Sequence, residues 1–231
     1  VGYTTLIKGS NVRTGVTAIH PRGPAGTGDP VAAGFHSQNG NGEMTGVSWI
    51  NESGTFDGPV AITNTHAVGI AHAGIIAWTV RHHPVVAEEW LLPVAAETWD
   101  GWLNDVNGFH VKAEHVERAL DSAHGGAIEE GSVGGGTGMI CNGFKGGIGT
   151  SSRVLSAAQG GYTLGVLVQC NYGGDLRILG VPIRSEITDL GQCTVLAEPL
   201  TRPWTRGMPR CPAGGGANIA PIAEDEQGRG S

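Results

Sequence analysis

The sequence predicts a layered α/β sandwich, and three features of the chain support this fold class. Short apolar segments of strand length are separated by turn sequences rich in Gly and Pro. Between them lie two longer segments of helical character, and one of these is apolar on nearly every side, as in a helix packed between layers. The chain also contains 40 glycines among 231 residues, which favours turns and close backbone approach over a helical bundle.

The first half of the chain is predicted to begin with strands and then to alternate between strand and helix. Short strands are predicted at residues 12–19 and 31–35, divided by the turn sequences PRGP and GTGDP. A further strand is predicted at 59–63, followed by the nearly all-apolar helix at 69–82 and a return to strand at 91–98. We therefore expect a β-rich first third and a helix that packs between layers.

The second half combines a surface helix, a glycine-rich segment and further strands. Apolar residues three, four and seven positions apart predict an amphipathic helix at 113–123. Residues 131–150 are rich in glycine, so we expect their backbone, rather than their side chains, to form the working surface. Strands are predicted at 153–157 and 162–169, with a further candidate at 176–181.

Charge and hydropathy argue against two classes of partner. The formal net charge is −7 and the basic residues form no cluster, so nothing indicates binding to nucleic acid or to an anionic membrane. The longest apolar helix candidate is too short to span a bilayer, and no signal sequence opens the chain. We expect a soluble protein that acts on a small neutral or cationic substrate, with the cytoplasm favoured over the periplasm.

No metal or organic cofactor is expected. The nine histidines lack a zinc-ligand spacing such as H-E-x-x-H, and His82 and His83 are better explained as caps at the carboxyl end of a helix. The glycine-rich segment fits neither the P-loop nor the dinucleotide fingerprint. Close packing of strands explains it better, although its N–H groups could line an anion or oxyanion pocket. The four cysteines form no C-x-x-C pair, so neither a zinc ribbon nor a redox dithiol is indicated.

Four polar strings follow apolar segments, at places where sheet-edge sites collect. They lie at residues 39–43, 63–66, 96–100 and 169–171. An Asn side chain in such a string can donate to a developing oxyanion, and Glu97 could hold a substrate ammonium. Each string taken alone is better explained as a satisfied turn or helix cap.

The segment at 198–231 loses hydrophobic periodicity, so we expect an exposed extension of a single domain portion that spans residues 1–231. It ends in Gly230 and Ser231. Gly tolerates the strained backbone that brings a Ser hydroxyl onto the preceding carbonyl, which suits this bond to self-cleavage. The freed Ser would carry a hydroxyl and an α-amine that can accept its proton near neutral pH. An expression tag or an unstructured terminus would leave the same residues.

Taken together, these strings resemble the DmpA family, which comprises the L-aminopeptidase D-Ala-esterase/amidase and the β-peptidyl aminopeptidases. The resemblance runs from the beginning of the chain to its end, with the strings in the order found in the family. The matching strings are NGNGEMTG (39–46), ITNTH (62–66), AETWDG (96–101), LND-NGF (103–109), GGGTGMI with GFKGGIGTSSR (134–153), LVQCN (167–171) and the terminal RGS.

The resemblance implies an αββα sandwich, similar to but wired differently from the N-terminal nucleophile hydrolases, in a precursor that cuts itself before a Ser. This chain would be the α part, bound to the β chain of the same precursor, and the αβ units would form homo-oligomers. By position, Ser231 matches the nucleophile after the cleaved Gly230 bond, Asn171 the oxyanion-hole amide and Glu97 the carboxylate near the substrate amine. Trp99 matches a pocket-wall position where some relatives carry Tyr, so it would contribute its backbone N–H or its ring.

The implied function is that of a serine-type aminopeptidase or amidase, without cofactor, that releases amino-terminal residues from short peptides, amides or β-peptides. Two alternatives stay open: a related hydrolase of synthetic or lactam-like amides, and a non-catalytic module that binds a small ligand at the glycine-rich loop. The supporting Ser and Glu of the family belong to the β segment, so the proton relay cannot be assigned from this sequence.

Overall fold

The computed structural model describes residues 1–174 and 176–187, so the segment predicted at 198–231, with Gly230 and Ser231, lies outside the described residues. Its helices are α1 (Val47–Ser53), α2 (Val68–His82), α3 (Ala113–Asp121) and α4 (Ile183–Glu186). Its strands are β1 (Gly2–Lys8), β2 (Val12–Ile19), β3 (Val31–Ala32), β4 (Thr55–Phe56), β5 (Val60–Asn64), β6 (Val94–Thr98), β7 (Ile140–Cys141), β8 (Phe144–Lys145), β9 (Ile148–Val154), β10 (Thr163–Gln169), β11 (Arg177–Ile178) and β12 (Val181–Pro182).

Four strands form the main sheet, in the order β1-β2-β5-β6. β1 is antiparallel to β2 and β2 is antiparallel to β5, whereas β5 and β6 are parallel and are connected through α2. A helical crossover is the usual connection between parallel neighbours. Because β5 and β6 run in the same direction, Thr63 lies opposite Glu97 and Asn64 opposite Thr98. The polar residues that follow both strands therefore meet at one edge of the sheet.

One face of the main sheet is covered by α2 and α3. Alternate residues of β2, Val16 and Ala18, are fully buried in one core with Ile75 of α2 and Leu120 of α3. The outer side of α2 differs from the prediction, because Val80 is 53% exposed in the part of the chain that the structure describes. The helix is thus covered on one side by these residues rather than enclosed between two layers of them.

The opposite face of the sheet is covered by the glycine-rich segment, which forms a buried 3-10 turn at Gly134–Gly138. Gly15 of β2 faces it, and a Cβ on Gly15 would lie only 2.3 Å from the carbonyl oxygen of Gly134. A Cβ on Gly138 would lie 2.0 Å from the carbonyl oxygen of Arg13. Backbone is packed directly on backbone here, which confirms that this glycine run serves close packing. The order helices, sheet, second β layer is a layered α/β sandwich, as predicted.

The sequence predicted β2, α2 and α3 closely, and it misplaced two strands. The strand predicted at 91–98 begins only at Val94, because Pro93 cannot donate to the ladder. The prediction of a strand at 153–157 is wrong, since β9 runs over Ile148–Val154. Its pairing with β10, which places Ile148 opposite Gln169, fixes the register and extends the strand back into the glycine-rich segment.

Two predicted strands are much shorter in the structure. Only Val31–Ala32 of the segment 31–35 forms a strand, in a two-residue ladder with Thr55–Phe56. The candidate at 176–181 is a small hairpin, β11 and β12, whose turn contains Gly180 in the left-handed region. Both ladders have few neighbours to extend them, which keeps them short.

Candidate active site

The four polar strings predicted from the sequence come together at the edge of the sheet where β5 and β6 end. The string at 63–66 follows β5, and the string at 96–100 spans the end of β6. The string at 39–43 does not follow a strand, but the next residue, Met44, bridges to Ala96 of β6. The string at 169–171, at the end of β10 and just after it, reaches the same edge through hydrogen bonds of Gln169 to Thr98 and of Asn171 to Trp99. These contacts are long-range, so no single string indicates them by itself.

The Glu97 carboxylate lies at the centre of this edge and is only 7% exposed. Its Oε1 accepts a hydrogen bond from the backbone N–H of Glu43 at 3.2 Å, and its Oε2 accepts one from the hydroxyl of Thr65. Burial raises the pKa of the Glu97 carboxyl, while these two hydrogen bonds and the neighbouring His66 counteract the rise. No Lys or Arg among the described residues forms an ion pair with this carboxylate. The site therefore contains a buried carboxylate that is not paired with a Lys or Arg in the described part of the chain.

The side-chain amide of Asn171 is bound to the backbone of Trp99. Its Oδ1 accepts a hydrogen bond from the Trp99 N–H at 2.9 Å, and its Nδ2 donates to the Trp99 carbonyl at 3.0 Å. Nδ2 also donates to the carbonyl of Ile140, at the longer distance of 3.3 Å. The amide thus bridges β6 and the β7 segment, and its orientation is fixed by three backbone groups.

Gln169 joins the two β layers beneath this edge. Its Nε2 donates to the hydroxyl of Thr98 at 2.5 Å, and its Oε1 accepts from the hydroxyl of Thr17 at 3.1 Å. Thr17 in turn accepts from the N–H of Gly135 in the glycine-rich turn at 3.1 Å. The sequence placed Gln169 in a polar string without a role, because nothing local distinguishes a buried bridging amide from an exposed one.

Asp100 is a further buried acid that the sequence did not single out. It is 1% exposed, and its Oδ1 accepts from the Asn104 side chain at 3.0 Å. Its Oδ2 has no well-formed hydrogen bond among the described residues, although the polar groups of Thr14 and Asn64 lie beside the carboxyl. Burial raises the pKa of the Asp100 carboxyl, and the three neutral neighbours counteract this only in part.

Cys141 and Cys170 form a disulfide next to the Asn171 amide, with a Cα–Cα distance of 5.7 Å. Their separation of 29 residues along the chain does not indicate this pairing. The other two cysteines, Cys193 and Cys211, lie outside the described residues. Spacing alone cannot pair four cysteines, since pairing depends on which strands become neighbours.

Histidines do not assemble into a metal centre within the described ranges, where no group of three ligand-type side chains could hold an ion. His82 and His83 lie at the carboxyl end of α2, as predicted, and both rings pack on Trp78. His66 stacks on Phe109 with ring centroids 6.0 Å apart. The same part of the chain contains no helix with the length and apolar character needed to cross a membrane.

Comparison with known proteins identifies the family. A family model described as peptidase family S58 matches residues 1–223. The chain belongs to peptidase family S58. A curated relative, the beta-peptidyl aminopeptidase BapA of Sphingosinicella microcystinivorans, is 50% identical over 197 residues, which cover 81% of this chain and 49% of that protein. BapA of Sphingosinicella xenopeptidilytica is 52% identical over 198 residues. The chain spans about half the length of the curated relatives that it matches.

Solved structures of S58 relatives confirm the fold class. The L-aminopeptidase D-Ala-esterase/amidase of Ochrobactrum anthropi superposes with a TM-score of 0.77 at 47% identity, over 81% of this chain and 55% of that one. It is described as a prototype for the serine aminopeptidases and a new variant among the Ntn hydrolase fold. A beta-aminopeptidase of Burkholderia sp. gives a TM-score of 0.75 at 47% identity, over 86% of this chain and 56% of that one. The expected similarity to the N-terminal nucleophile hydrolases is thus confirmed for the fold.

The structure brings three of the predicted site residues together. Glu97 and Trp99 are two residues apart at the end of β6, and Asn171 is bound to the backbone of Trp99. The predicted nucleophile Ser231 and the cleavage position Gly230 lie outside the described residues. The roles of all five residues remain predictions.

Proposed function

We propose that this S58 chain is the α portion of a self-cleaving, serine-type aminopeptidase or amidase that requires a free amino group on its substrate. The observation on which this rests is the Glu97 carboxylate, buried at the end of β6 without a cationic side chain paired to it among the described residues. A substrate ammonium would complete this site, because a buried carboxylate is stabilised by an opposite charge within a few ångströms. Short peptides, amides and β-peptides all present such an ammonium.

The proposed chemistry places the reacting carbonyl between Glu97 and the Asn171 amide. The hydroxyl of the nucleophilic serine, predicted to be Ser231, attacks this carbonyl and passes its proton to a base such as the serine's own α-amine. The developing oxyanion is stabilised by amide N–H groups, including Nδ2 of Asn171. The carbon–nitrogen bond then breaks, the leaving amine takes up the proton, and water hydrolyses the ester that remains on the serine.

Asn171 can take this role with a small rearrangement. Both hydrogens of Nδ2 face backbone carbonyls in the structure, and the contact with the Ile140 carbonyl is the longer of the two, at 3.3 Å. That hydrogen is the one we expect to donate to the oxyanion when the Ile140 carbonyl is displaced, while the two bonds to the Trp99 backbone hold the amide in place. An amide that keeps both bonds to Trp99 arrives preorganised, which is the condition for effective oxyanion stabilisation.

The remainder of the precursor is the proposed partner, and the β9–β10 hairpin is the surface where we place it. Apolar residues of this hairpin are exposed, including Leu164 at 63%, Val166 at 49% and Val154 at 73%. An isolated two-stranded ladder with exposed apolar residues is at best marginally stable, and it becomes stable when further strands or helices cover it. Assembly of the resulting units into homo-oligomers remains a prediction.

The compartment also belongs to this proposal. The Cys141–Cys170 disulfide favours an oxidising compartment, since disulfides persist there and are rare in the cytosol. This argues against the preference for the cytoplasm drawn from the sequence, and fractionation of cells that express the full-length precursor would decide between them.

Mass spectrometry of the full-length precursor tests the cleavage. We expect two polypeptides separated before Ser231 in the wild type and one intact chain in Ser231→Ala. A cut at another position, with Ser231→Ala processed normally, would reject Ser231 but retain a self-cleaving enzyme. An uncut precursor without hydrolytic activity would instead favour the small-ligand binding module.

Substrate comparison tests the ammonium site. We expect hydrolysis of α-peptide and β-amino amides with a free amine, and loss of turnover when the amine is acetylated. Glu97→Gln should raise KM for the free amines, whereas Glu52→Gln, at an exposed position of α1, should leave it unchanged. Equal turnover of free and acetylated amides would contradict the proposal, and selective turnover of lactam-like amides would favour the alternative hydrolase.

A further inference from the structure

We infer that the Cys141–Cys170 disulfide is a redox-sensitive positioning element for the Asn171 amide, a conclusion that rests on the proposed hydrolase function. Cys170 directly precedes Asn171, and Cys141 directly follows Ile140, whose carbonyl accepts the second Nδ2 hydrogen bond. The disulfide therefore joins the two chain segments that this hydrogen bond also joins. Opening it would leave the position of the Asn171 backbone, and with it the amide bound to Trp99, to non-covalent contacts alone.

A second hydrogen bond flanks the disulfide on its other side. The N–H of Asn142 donates to the carbonyl of Tyr172 at 2.7 Å. Residues 140–142 and 170–172 are thus joined by three links: the disulfide, the Asn171–Ile140 hydrogen bond and the Asn142–Tyr172 hydrogen bond. Ile140, Asn142 and Asn171 are each the immediate neighbour of a bridged cysteine, and Tyr172 is two residues from Cys170, so a shift of either cysteine moves the amide.

The turn beside the bridge is the least packed part of this segment. β7 and β8 are strands of only two residues, and the turn between them contains Asn142 and Gly143, both in the left-handed region and both partly exposed. On either side of the turn, Ile140 is buried and Gly147 packs against backbone. A turn with few packed side chains opens locally at lower free-energy cost than its buried flanks, and the disulfide is the covalent contact that ties its first strand to Asn171.

Small thiols can reach one side of the bridge. Cys141 is 8% exposed, whereas Cys170 is partly exposed. A thiolate of a dithiol reductant attacks one sulfur, forms a mixed disulfide and releases the other cysteine as a thiol; the second thiol of the reductant then displaces the first cysteine. Two electrons and two protons pass to the protein, and the reductant becomes a cyclic disulfide. A disulfide of the oxidised-glutathione class reverses the reaction by the same exchange.

The test uses the full-length, processed protein in its oxidised form and after treatment with dithiothreitol. Thiol alkylation with mass spectrometry of the peptides establishes which cysteines are bridged in each sample. For the oxidised wild type we expect alkylation of neither Cys141 nor Cys170, and after reduction alkylation of both. Reduction should lower kcat about tenfold, which is less than the loss expected when an oxyanion donor is removed altogether. KM should change less than about twofold. Re-oxidation with oxidised glutathione should restore kcat.

Three variants separate the interpretations. Cys141→Ser/Cys170→Ser should start at the reduced rate and not respond to dithiothreitol. Cys193→Ser/Cys211→Ser, the matched control, should respond like the wild type. In Asn171→Ala, reduction should cause no further loss of kcat, because the positioned group is gone.

The outcomes distinguish failure of this inference from failure of the proposed function. Free thiols at Cys141 and Cys170 even after oxidation, or equal kcat in the two redox states of an active enzyme, would overturn the inference and leave the hydrolase intact. An equal fall of kcat on reducing Asn171→Ala would show that the disulfide acts on general stability rather than through the amide. Absence of hydrolysis in every redox state would overturn the proposed function itself. The reversible wild-type arm decides the question even if the serine variants do not fold.

Discussion

The side-chain amide of Asn171 pairs with the backbone of Trp99 in both directions, accepting from its N–H at 2.9 Å and donating to its carbonyl at 3.0 Å. An extended strand makes the same pair of bonds to a neighbour. The amide therefore continues the edge of the main sheet beyond β6 and connects it to the segment after β10. Exchange of its oxygen and nitrogen would break every one of these bonds, so its orientation is determined by the backbone around it.

Asn171→Asp tests whether the donor hydrogens matter beyond this pairing. The carboxylate keeps an acceptor for the Trp99 N–H, but it loses both donors and places a negative oxygen against two carbonyls. We expect kcat to fall about 10²- to 10³-fold, as for removal of an oxyanion donor in other hydrolases. Steady-state kinetics of the full-length enzyme would measure this, with Asn51→Asp on the exposed side of α1 as the control. A rate close to that of the wild type would remove Asn171 from the reaction.

Thr65→Val tests the charge state of Glu97 through the pH dependence of kcat/KM. A substrate ammonium binds the ionised carboxylate, so kcat/KM should fall as the pH decreases through the Glu97 pKa, which burial has raised. The Thr65 hydroxyl donates to the carboxylate and favours its charged form, hence its removal raises this pKa further. On the acidic limb we expect kcat/KM about tenfold below the wild type, the scale of a lost hydrogen bond to a charged group.

The control for this experiment is Thr65→Ser, which retains the hydroxyl and should retain the wild-type profile. At high pH, where Glu97 is ionised in every variant, the three enzymes should converge. A uniform loss of kcat/KM at all pH values would mean that Thr65 acts on the structure of the site and not on the Glu97 charge.

The elements that the sequence predicted well are those with local signals. β2 is an apolar run between two turns, and α3 shows helical periodicity, so each was found at nearly its true bounds. Glu97 was singled out because it lies in a polar string at the end of an apolar strand, and the resemblance of that string to the DmpA family suggested its role. The register of β9 was not, because it depends on β10, which pairs with it only in the folded chain.

The buried groups of the site were likewise missed where they lack a local sequence signal. Gln169, Asp100 and the pairing of Cys141 with Cys170 have no local signature, since each depends on which segments become neighbours in the second layer. An Asp after a strand has the same sequence pattern whether it is exposed or fully buried. Position in the chain therefore identifies candidate chemistry, and only tertiary packing decides which groups are desolvated.

Asp100→Asn should stabilise the protein at neutral pH. The folded-state pKa of Asp100 is raised by burial, so the unfolded chain loses this proton more readily, and stability decreases as the pH rises through the interval between the unfolded and folded pKa values. Asn has the same shape and can still accept from Asn104 through Oδ1. We expect the free energy of unfolding at pH 7 to rise by about 0.5 to 2 kcal/mol, the common range for stabilising substitutions.

Thermal unfolding of the full-length protein at several pH values would measure this effect. The gain should vanish in acid, below the pKa of the unfolded carboxyl, because Asp100 is then neutral in both states. Asp57→Asn, at an exposed carboxyl, is the matched control and should change stability by less than about 0.5 kcal/mol. A destabilised Asp100→Asn protein at neutral pH would show that the charge itself holds the surrounding segment together.

Gly15→Ala should destabilise the protein strongly, because the second β layer lies on the main sheet backbone to backbone. The added methyl carbon would lie 2.3 Å from the carbonyl oxygens of both Gly134 and Thr4, and neither can move without displacing a strand or the buried turn. We expect a loss of about 3 kcal/mol or more in the free energy of unfolding, at the upper end for an overpacked core. Chemical denaturation of the full-length protein would measure it.

Gly69→Ala provides the control of opposite sign. Gly69 is exposed on α2 and a methyl group there meets nothing within 4 Å, so the substitution should stabilise the helix by about 0.5 to 1 kcal/mol. If both glycines responded alike, backbone propensity would explain the glycine content of this chain. Opposite responses would show that glycine is required at Gly15 because a side chain there would push the second β layer away from the main sheet. The same close approach of the two layers brings the Asn171 amide within hydrogen-bond distance of the Trp99 backbone.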